Sequence, residues 1–550
     1  MITLQSAPKE FQVKSKLRNQ DTARQHKSQH RRQKHHVKRN RHQRRRDRRL
    51  AARQRAVQRR LDKTKLPVGL GPVLRGSPTF RYDLSSRACG LGFGGIPLFH
   101  QLAKDIGLID AIDRKLHLLK IHLPYHESDH VFTIAANFLC DATCLEDIEL
   151  RRNDPAFLDA LGAQRIPDPT TAADFCRRFD VSSINTLQEV FDDVRIGVWQ
   201  QQPTDFFAQA RIDVDGSLVA TTGECKQGMD IAYDGTWGYH VLIVSLANTN
   251  EVLRIVNRSG NRPSHEGANV ALDQAIATCR RAGFRSILLR GDTDFSQTKY
   301  LDHWDDQADV QFIFGYDNVP TLVAHVQGLP ALVWQPLTRP ARYEIATTPR
   351  QKPDNVKDAI VVQRGYEVLR LKGEEVAHCV YRPAACNREY RMIVVRKSIS
   401  KEQGGVWLYD EYRYFFYITN DWTKTLEEIV FSANDRCHQE NLIQQLKHGV
   451  CALKSPLKTL ESNWAYMVMT ALAWNLKAWA ALRLPESGPK AEEHRAEKRW
   501  LLGMEFKAFL HVMVALPCQM VKQARQTVFR VLSCHVHMKT FFRLATTLQC

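Results

Sequence analysis

The chain has no Cys-x-x-Cys pair and no regular spacing among its 13 cysteines. That excludes a disulfide scaffold and a paired-thiol zinc module, and leads us to expect reduced, buried thiols in a cytoplasmic compartment. Cys140 with Cys144, and Cys534 with His535 and His537, read as incidental neighbours and not as ligand sets. An apolar leader run is also missing from the polar N-terminus. Nor is there an uninterrupted membrane span: the longest apolar stretch, Trp464 to Leu484, carries Asn475 and Lys477 and reads as a buried helix. There are no internal repeats, and no pattern of stacking aromatics of the kind an RNA-binding module uses.

Charge of one sign is absent from most of the chain and concentrated in one place. Of 78 Lys+Arg and 59 Asp+Glu, 23 and 4 respectively fall in Met1–Leu66, so the remainder holds 55 of each and is formally neutral. The arm, densest at His30–His36 and Arg44–Arg49, has too few apolar residues for its own core. It predicts a disordered segment attracted to nucleic-acid phosphate without sequence preference and with strong salt dependence.

With 550 residues and 43% hydrophobic content, the chain can build several compact units. Breakers at Pro67–Pro78 mark a linker. Residues 67–205 then read as linker and helical DNA-binding region, in which Thr171 is the expected cap of the helix after Pro167. The period changes next: strands are expected at Arg211–Val214, His240–Ala247 and Val252–Asn257, a helix at Glu266–Ala282, and strands at Ser286–Leu289 and Val310–Phe314. This β-β-β-α-β-α-β order is that of a ribonuclease-H-like α/β core. Its first part spans 206–319, a β-rich insertion 320–412 carries expected strands at Tyr343–Ile345, Val361–Arg370 and Arg391–Val395, and its last strand and a long helix Thr423–His448 fall in 413–450. A helical region, 451–550, completes the chain.

Three acids stand out by their settings. Asp215 and Asp292 are expected at the ends of apolar strands, and Glu440 lies in the long helical pattern. At about 100° per residue, Arg436, Glu440 and Lys447 fall within roughly 40° of one another on that helix. Carboxylates delivered from two strands and a helix can hold a pair of hard divalent cations, which activate an attacking oxygen and stabilise a leaving one at a phosphodiester. Asp213 and Asp215 share a strand face, as two like charges do only when something neutralises them. Asp215 is the preferred ligand and Asp213 a supporting carboxylate. Asp292 is preferred over Asp294, which is placed to cap the helix that follows.

The ordered set Asp215-Gly-Ser217, Arg290-Gly-Asp-Thr-Asp-Phe295, Thr419-Asn420 and Arg436-x3-Glu440-x6-Lys447 resembles the bacterial insertion-sequence transposases of the DDE type. Within these it is similar to the family named after insertion sequence four, thirteen-eighty group, whose third-acid helix reads Y-x2-R-x3-E-x6-K. Here the tyrosine position is Ala433. The resemblance covers roughly Leu98 to Leu532. It implies metal-dependent cleavage at transposon ends followed by strand transfer into target DNA. It also implies two Mg²⁺ ions with Mn²⁺ as substitute, Arg436 and Lys447 on DNA phosphates, and an insertion that helps grip the DNA end. Double-stranded DNA is the implied partner, a homodimer is expected in the complex, and the location is cytoplasmic, at the nucleoid when bound. A ribonuclease-H-like nuclease without strand transfer and a catalytically inactive DNA-binding derivative are the alternatives.

Overall fold

The computed structural model describes residues 43–62, 89–339, 356–486, 488–523 and 526–549. Five strands make the centre: β1 (Ala210–Ala220), β2 (Trp237–Leu246), β3 (Glu251–Val256), β4 (Ile287–Gly291) and β5 (Val310–Tyr316). They are ordered β3-β2-β1-β4-β5, with β1, β2 and β3 antiparallel and β4 and β5 parallel to β1. This is the ribonuclease-H-like arrangement, and the chain is an α/β protein. β2 and β4 read as apolar runs because helices cover both sheet faces, so almost every residue in them is buried. Helix α1 (Val181–Trp199) precedes β1, and α2 (Ala268–Ala282) connects β3 to β4.

The β-rich insertion is continuous with this sheet. Strands β6 (Glu367–Tyr381), β7 (Tyr390–Gln403) and β8 (Val406–Thr419) form an antiparallel meander, and Phe416–Thr419 of β8 pair with Ile313–Tyr316 of β5. The expected boundary at 412/413 therefore falls inside one strand that belongs to both parts. The expected strand from Val361 begins instead as helix Val356–Arg364, closed by Gly365 at φ +62°, a conformation that favours glycine. The strand expected at Tyr343 lies outside the described residues.

The predicted long helix is broken. It runs as α3 (Leu426–Asp435) and α4 (Cys437–Gln444), joined at Arg436, and then passes into a π-helical turn, Gln445–Gly449. At the C-terminus, where helix was expected throughout, Cys518–Gln523 and Gln526–Val531 form a hairpin that pairs with Cys89–Leu91. Residues 43–62 of the expected disordered arm are helical. This helix docks on the same C-terminal region through buried Leu50, Arg46 over the Phe542 ring and Arg53 donating to the Val531 carbonyl. Residues 1–42 and the linker Pro67–Pro78 lie outside the described residues. Helix Pro169–Cys176 is capped by Asp168 in place of Thr171: the Asp168 carboxylate accepts the Thr171 N–H at 2.8 Å, and Pro169 takes a first-turn position needing no N–H.

Helix α5 (Leu460–Leu482) is buried on every side, as the apolar stretch predicts, and among the described residues no helix is long and apolar enough to cross a membrane. It seals β3, the sheet's edge, by imitating a neighbouring strand. The Asn475 amide accepts from Val252 N–H and donates to Val252 C=O, both at 3.0 Å. Its indoles bond the same edge, Trp464 to Ile255 O and Trp479 to Glu251 Oε2. Glu251, fully buried, also accepts from Trp199 Nε1 at 2.7 Å and Thr249 Oγ1 at 2.9 Å. Asp192, Arg195 and Arg254 surround it in a neutral buried network, with Arg254 forked on Asp192. Removing one member strands several donors away from water. Glu251→Ala is therefore expected to destabilise the protein by about 3–5 kcal/mol, read as a lowered denaturation midpoint. A midpoint equal to wild type contradicts this account.

Candidate active site

Asp215 lies in the middle of β1, not at a strand end. What ends is its neighbour: the parallel pairing of β1 with β4 stops at Asp213 opposite Arg290, and β4 itself stops at Gly291. Beyond that register one side of β1 is open, and Asp292 enters there as the first residue after β4. Its Oδ1 accepts the Asp294 N–H at 3.0 Å, so Asp292 is the cap of the short turn Thr293–Phe295. The capping role expected of Asp294 is thus corrected; Asp294 is exposed, and its charge acts on His240. Gly315 of β5 permits this turn, since a Cβ there would stand 2.8 Å from Thr293 N.

The third acid arrives on α4, and two buried residues hold that helix to the strands. Gln439, next to Glu440, donates to the Ile243 carbonyl at 3.2 Å and accepts from the Ser245 hydroxyl. Ile243 is the β2 partner of Asp215. Arg290 is forked on Asp213, at 2.7 and 2.9 Å, and donates a third bond at 2.8 Å to the Ser432 carbonyl of α3. Asp213 is therefore committed to an arginine, which neutralises it in place. Sequence reading missed both Gln439 and Arg290 as positioning residues. Their signal was adjacency to Glu440 and Asp292 in otherwise apolar or helical runs.

Arg436 stands at the break between α3 and α4, Nη1 3.2 Å from Asp215 Oδ2 and Nη2 4.0 Å from Glu440 Oε1. Its side chain and that of Asp215 are each 16% exposed, whereas Glu440 is 63% exposed, so the site opens to solvent on the helix side. Burial, followed by the charge of Asp292, pushes the Asp215 carboxyl up to about 6; Arg436 opposes this and Glu440 adds to it. Asp292 is raised as well, by burial and by Asp294 and Glu440, against Arg436. The three acids thus share one electrostatic site around one guanidinium. Their oxygens are not drawn to mutual contact; among the described residues the group with ligand atoms within 4.8 Å of one another is His122, His126 and Glu127, elsewhere in the chain.

Lys447 falls in the π turn, whose i→i+5 bonds depart from the 100° step of an α-helix. It is half-buried, and burial lowers its pKa. The charges acting most strongly on Asp215 and Asp292 include Arg436 but not Lys447. At the missing tyrosine, Ala433 packs against a small apolar cluster together with Tyr417 of β8, and the Arg436 charge acts on the Tyr417 hydroxyl. Asn420 extends β5, accepting from Phe312 N–H at 3.0 Å and donating to Val310 O at 3.1 Å.

An acid whose pKa is raised on folding destabilises the native state once ionised. For Asp215 the native protein binds the extra proton between the unfolded value near 4 and about 6, so stability falls as pH rises through that window. Asp215→Asn is expected to stabilise the chelator-treated protein at pH 7 by roughly 1–3 kcal/mol. The gain should vanish below about pH 4. Urea midpoints at the two pH values measure it, and a variant less stable than wild type at pH 7 contradicts it.

No curated protein matches the chain. Among solved structures, a piggyBac transposase synaptic complex with hairpin DNA is distantly similar: 10% identity and a TM-score of 0.34 over 76% of this chain and 81% of that one. The family described as Transposase DDE domain group 1 matches residues 92–549, which include every acid of the site. The chain is a member of that DDE transposase family.

Proposed function

We propose that the protein cuts DNA at the ends of a mobile element and joins the freed 3′-OH to target DNA, with two divalent cations, Mg²⁺ or Mn²⁺, held by Asp215, Asp292 and Glu440. The observation that supports this reading is Arg436 beside both Asp215 and Glu440, with the charge of Asp292 acting on Asp215, in a ribonuclease-H-like core. The donor set fits hard cations: all oxygen, partly exposed, and with more negative charge than one guanidinium offsets. When bound, such cations activate the attacking water or hydroxyl and offset the charge on the leaving oxygen.

The chain's own residues do the rest. Asp215 and Asp292 are fixed by the paired strands, while the exposed Glu440 completes the site from the helix. Arg436, no longer needed to neutralise the acids, turns to a phosphate of the end being cut, and Lys447 holds a second. Asp213 supports Asp215 through Arg290, and Asp294 adds an outer carboxylate. The insertion's role in gripping DNA rests on shape more than charge, because Arg370, Lys372, Arg396, Lys401 and Arg413 are each paired with an acid. The basic arm supplies the general attraction to double-stranded DNA, and two copies bring two ends together.

Glu440→Gln removes one oxygen charge without altering shape. It should bind end-containing DNA as wild type does, yet cleave it at least about a hundredfold more slowly in Mg²⁺. Wild-type cleavage by this variant overturns the assignment.

A further inference from the structure

Outside the acidic site, three metal-binding side chains meet where helix Glu127–Leu139 begins. Glu127 is its first residue, and the side chain is 1% exposed. Oε1 accepts the N–H groups of Leu118 and Leu119, both at 2.9 Å, and Oε2 lies 3.2 Å from His122 Nε2. The rings of His122 and His126 lie parallel, 9° apart in plane, with centroids 5.1 Å from each other. One ligand atom from each of the three residues falls within 4.8 Å of the other two.

We propose that His122, His126 and Glu127 bind a zinc ion, with the remaining coordination position open to water. Two imidazoles and a carboxylate are a recognised zinc donor set and a poor one for Mg²⁺. The carboxylate is arranged as a ligand should be: the oxygen turned inward is anchored by two backbone donors, and the other is presented to His122. Within the same segment, Ile121 and Leu123 are 72% and 84% exposed. The ion clips residues 116–126 to the helix Glu127–Leu139, which packs against α5 in the protein's core.

The test uses the full-length chain without a histidine tag, stripped of metal with a chelator and then dialysed against zinc sulfate at pH 7.5. Zinc content is compared between wild type and His122→Ala/His126→Ala. The histidine-containing arm and the acidic site are identical in both proteins, so the difference reports this cluster alone. The variant should retain one zinc fewer per chain. Wild type should also gain about 3 °C in Tm from a hundredfold excess of zinc over Kd, a gain the variant loses and Mg²⁺ does not supply. His122→Gln, a milder change at an exposed position, should weaken zinc binding at least tenfold. Equal zinc content in wild type and double variant, or an unchanged affinity in His122→Gln, overturns the proposal.

Discussion

One guanidinium sets the geometry of this protein's site. Arg290 bonds both oxygens of Asp213 on β1 and the Ser432 carbonyl on α3, while itself lying on β4. Asp215 is two residues beyond Asp213, Asp292 two beyond Arg290, and Arg436 four beyond Ser432. Asp213 and Asp215 share a face of one strand, while Asp292 directly follows β4 and Arg436 directly follows α3. A single buried contact thus places all three charge-bearing elements. Such a pair contributes little net stability, because desolvating both ions offsets their attraction, but breaking it is costly. Its value here is positional.

Around that contact the fold separates two kinds of buried charge. At the β3 edge, Asp192, Glu251, Arg195 and Arg254 balance, and α5 meets the backbone donors and acceptors of the edge strand. That side is closed and neutral. At the open side, Asp215, Asp292 and Glu440 outnumber Arg436, and burial, with their mutual charge added, raises the carboxyls of Asp215 and Asp292. The site thus holds electrostatic strain of the kind that marks a functional candidate.

Much of this was legible from residues. The strand order and the buried reading of Trp464–Leu484 follow from period and spacing, and of the acids singled out by their settings the structure sets Asp215 and Glu440 beside Arg436. What was not legible depended on tertiary contacts. Asp213 reads as a rival ligand until Arg290 is seen opposite it, because register between strands far apart in sequence is not written in either strand. The helix carrying Glu440 reads as continuous, since no proline or glycine interrupts 423–448; its break at Arg436 coincides with contacts to Asp215 and Glu440 that draw the side chain into the site. The π turn that carries Lys447 is likewise invisible to a constant 100° step. Residues 43–62, read as arm by charge, fold because Leu50 and two arginines find partners in the last helix and hairpin.

The central claim is that Asp215, Asp292 and Glu440 enclose a shared pair of ions while Asp213 stays with Arg290. Crystals of the protein bound to end DNA, soaked in Mn²⁺ and measured for anomalous scattering, test it most directly. The account predicts two peaks bounded by those three carboxylates, with Asp213 still forked to Arg290. Peaks ligated by Asp213, or absent between Asp215 and Glu440, would contradict it.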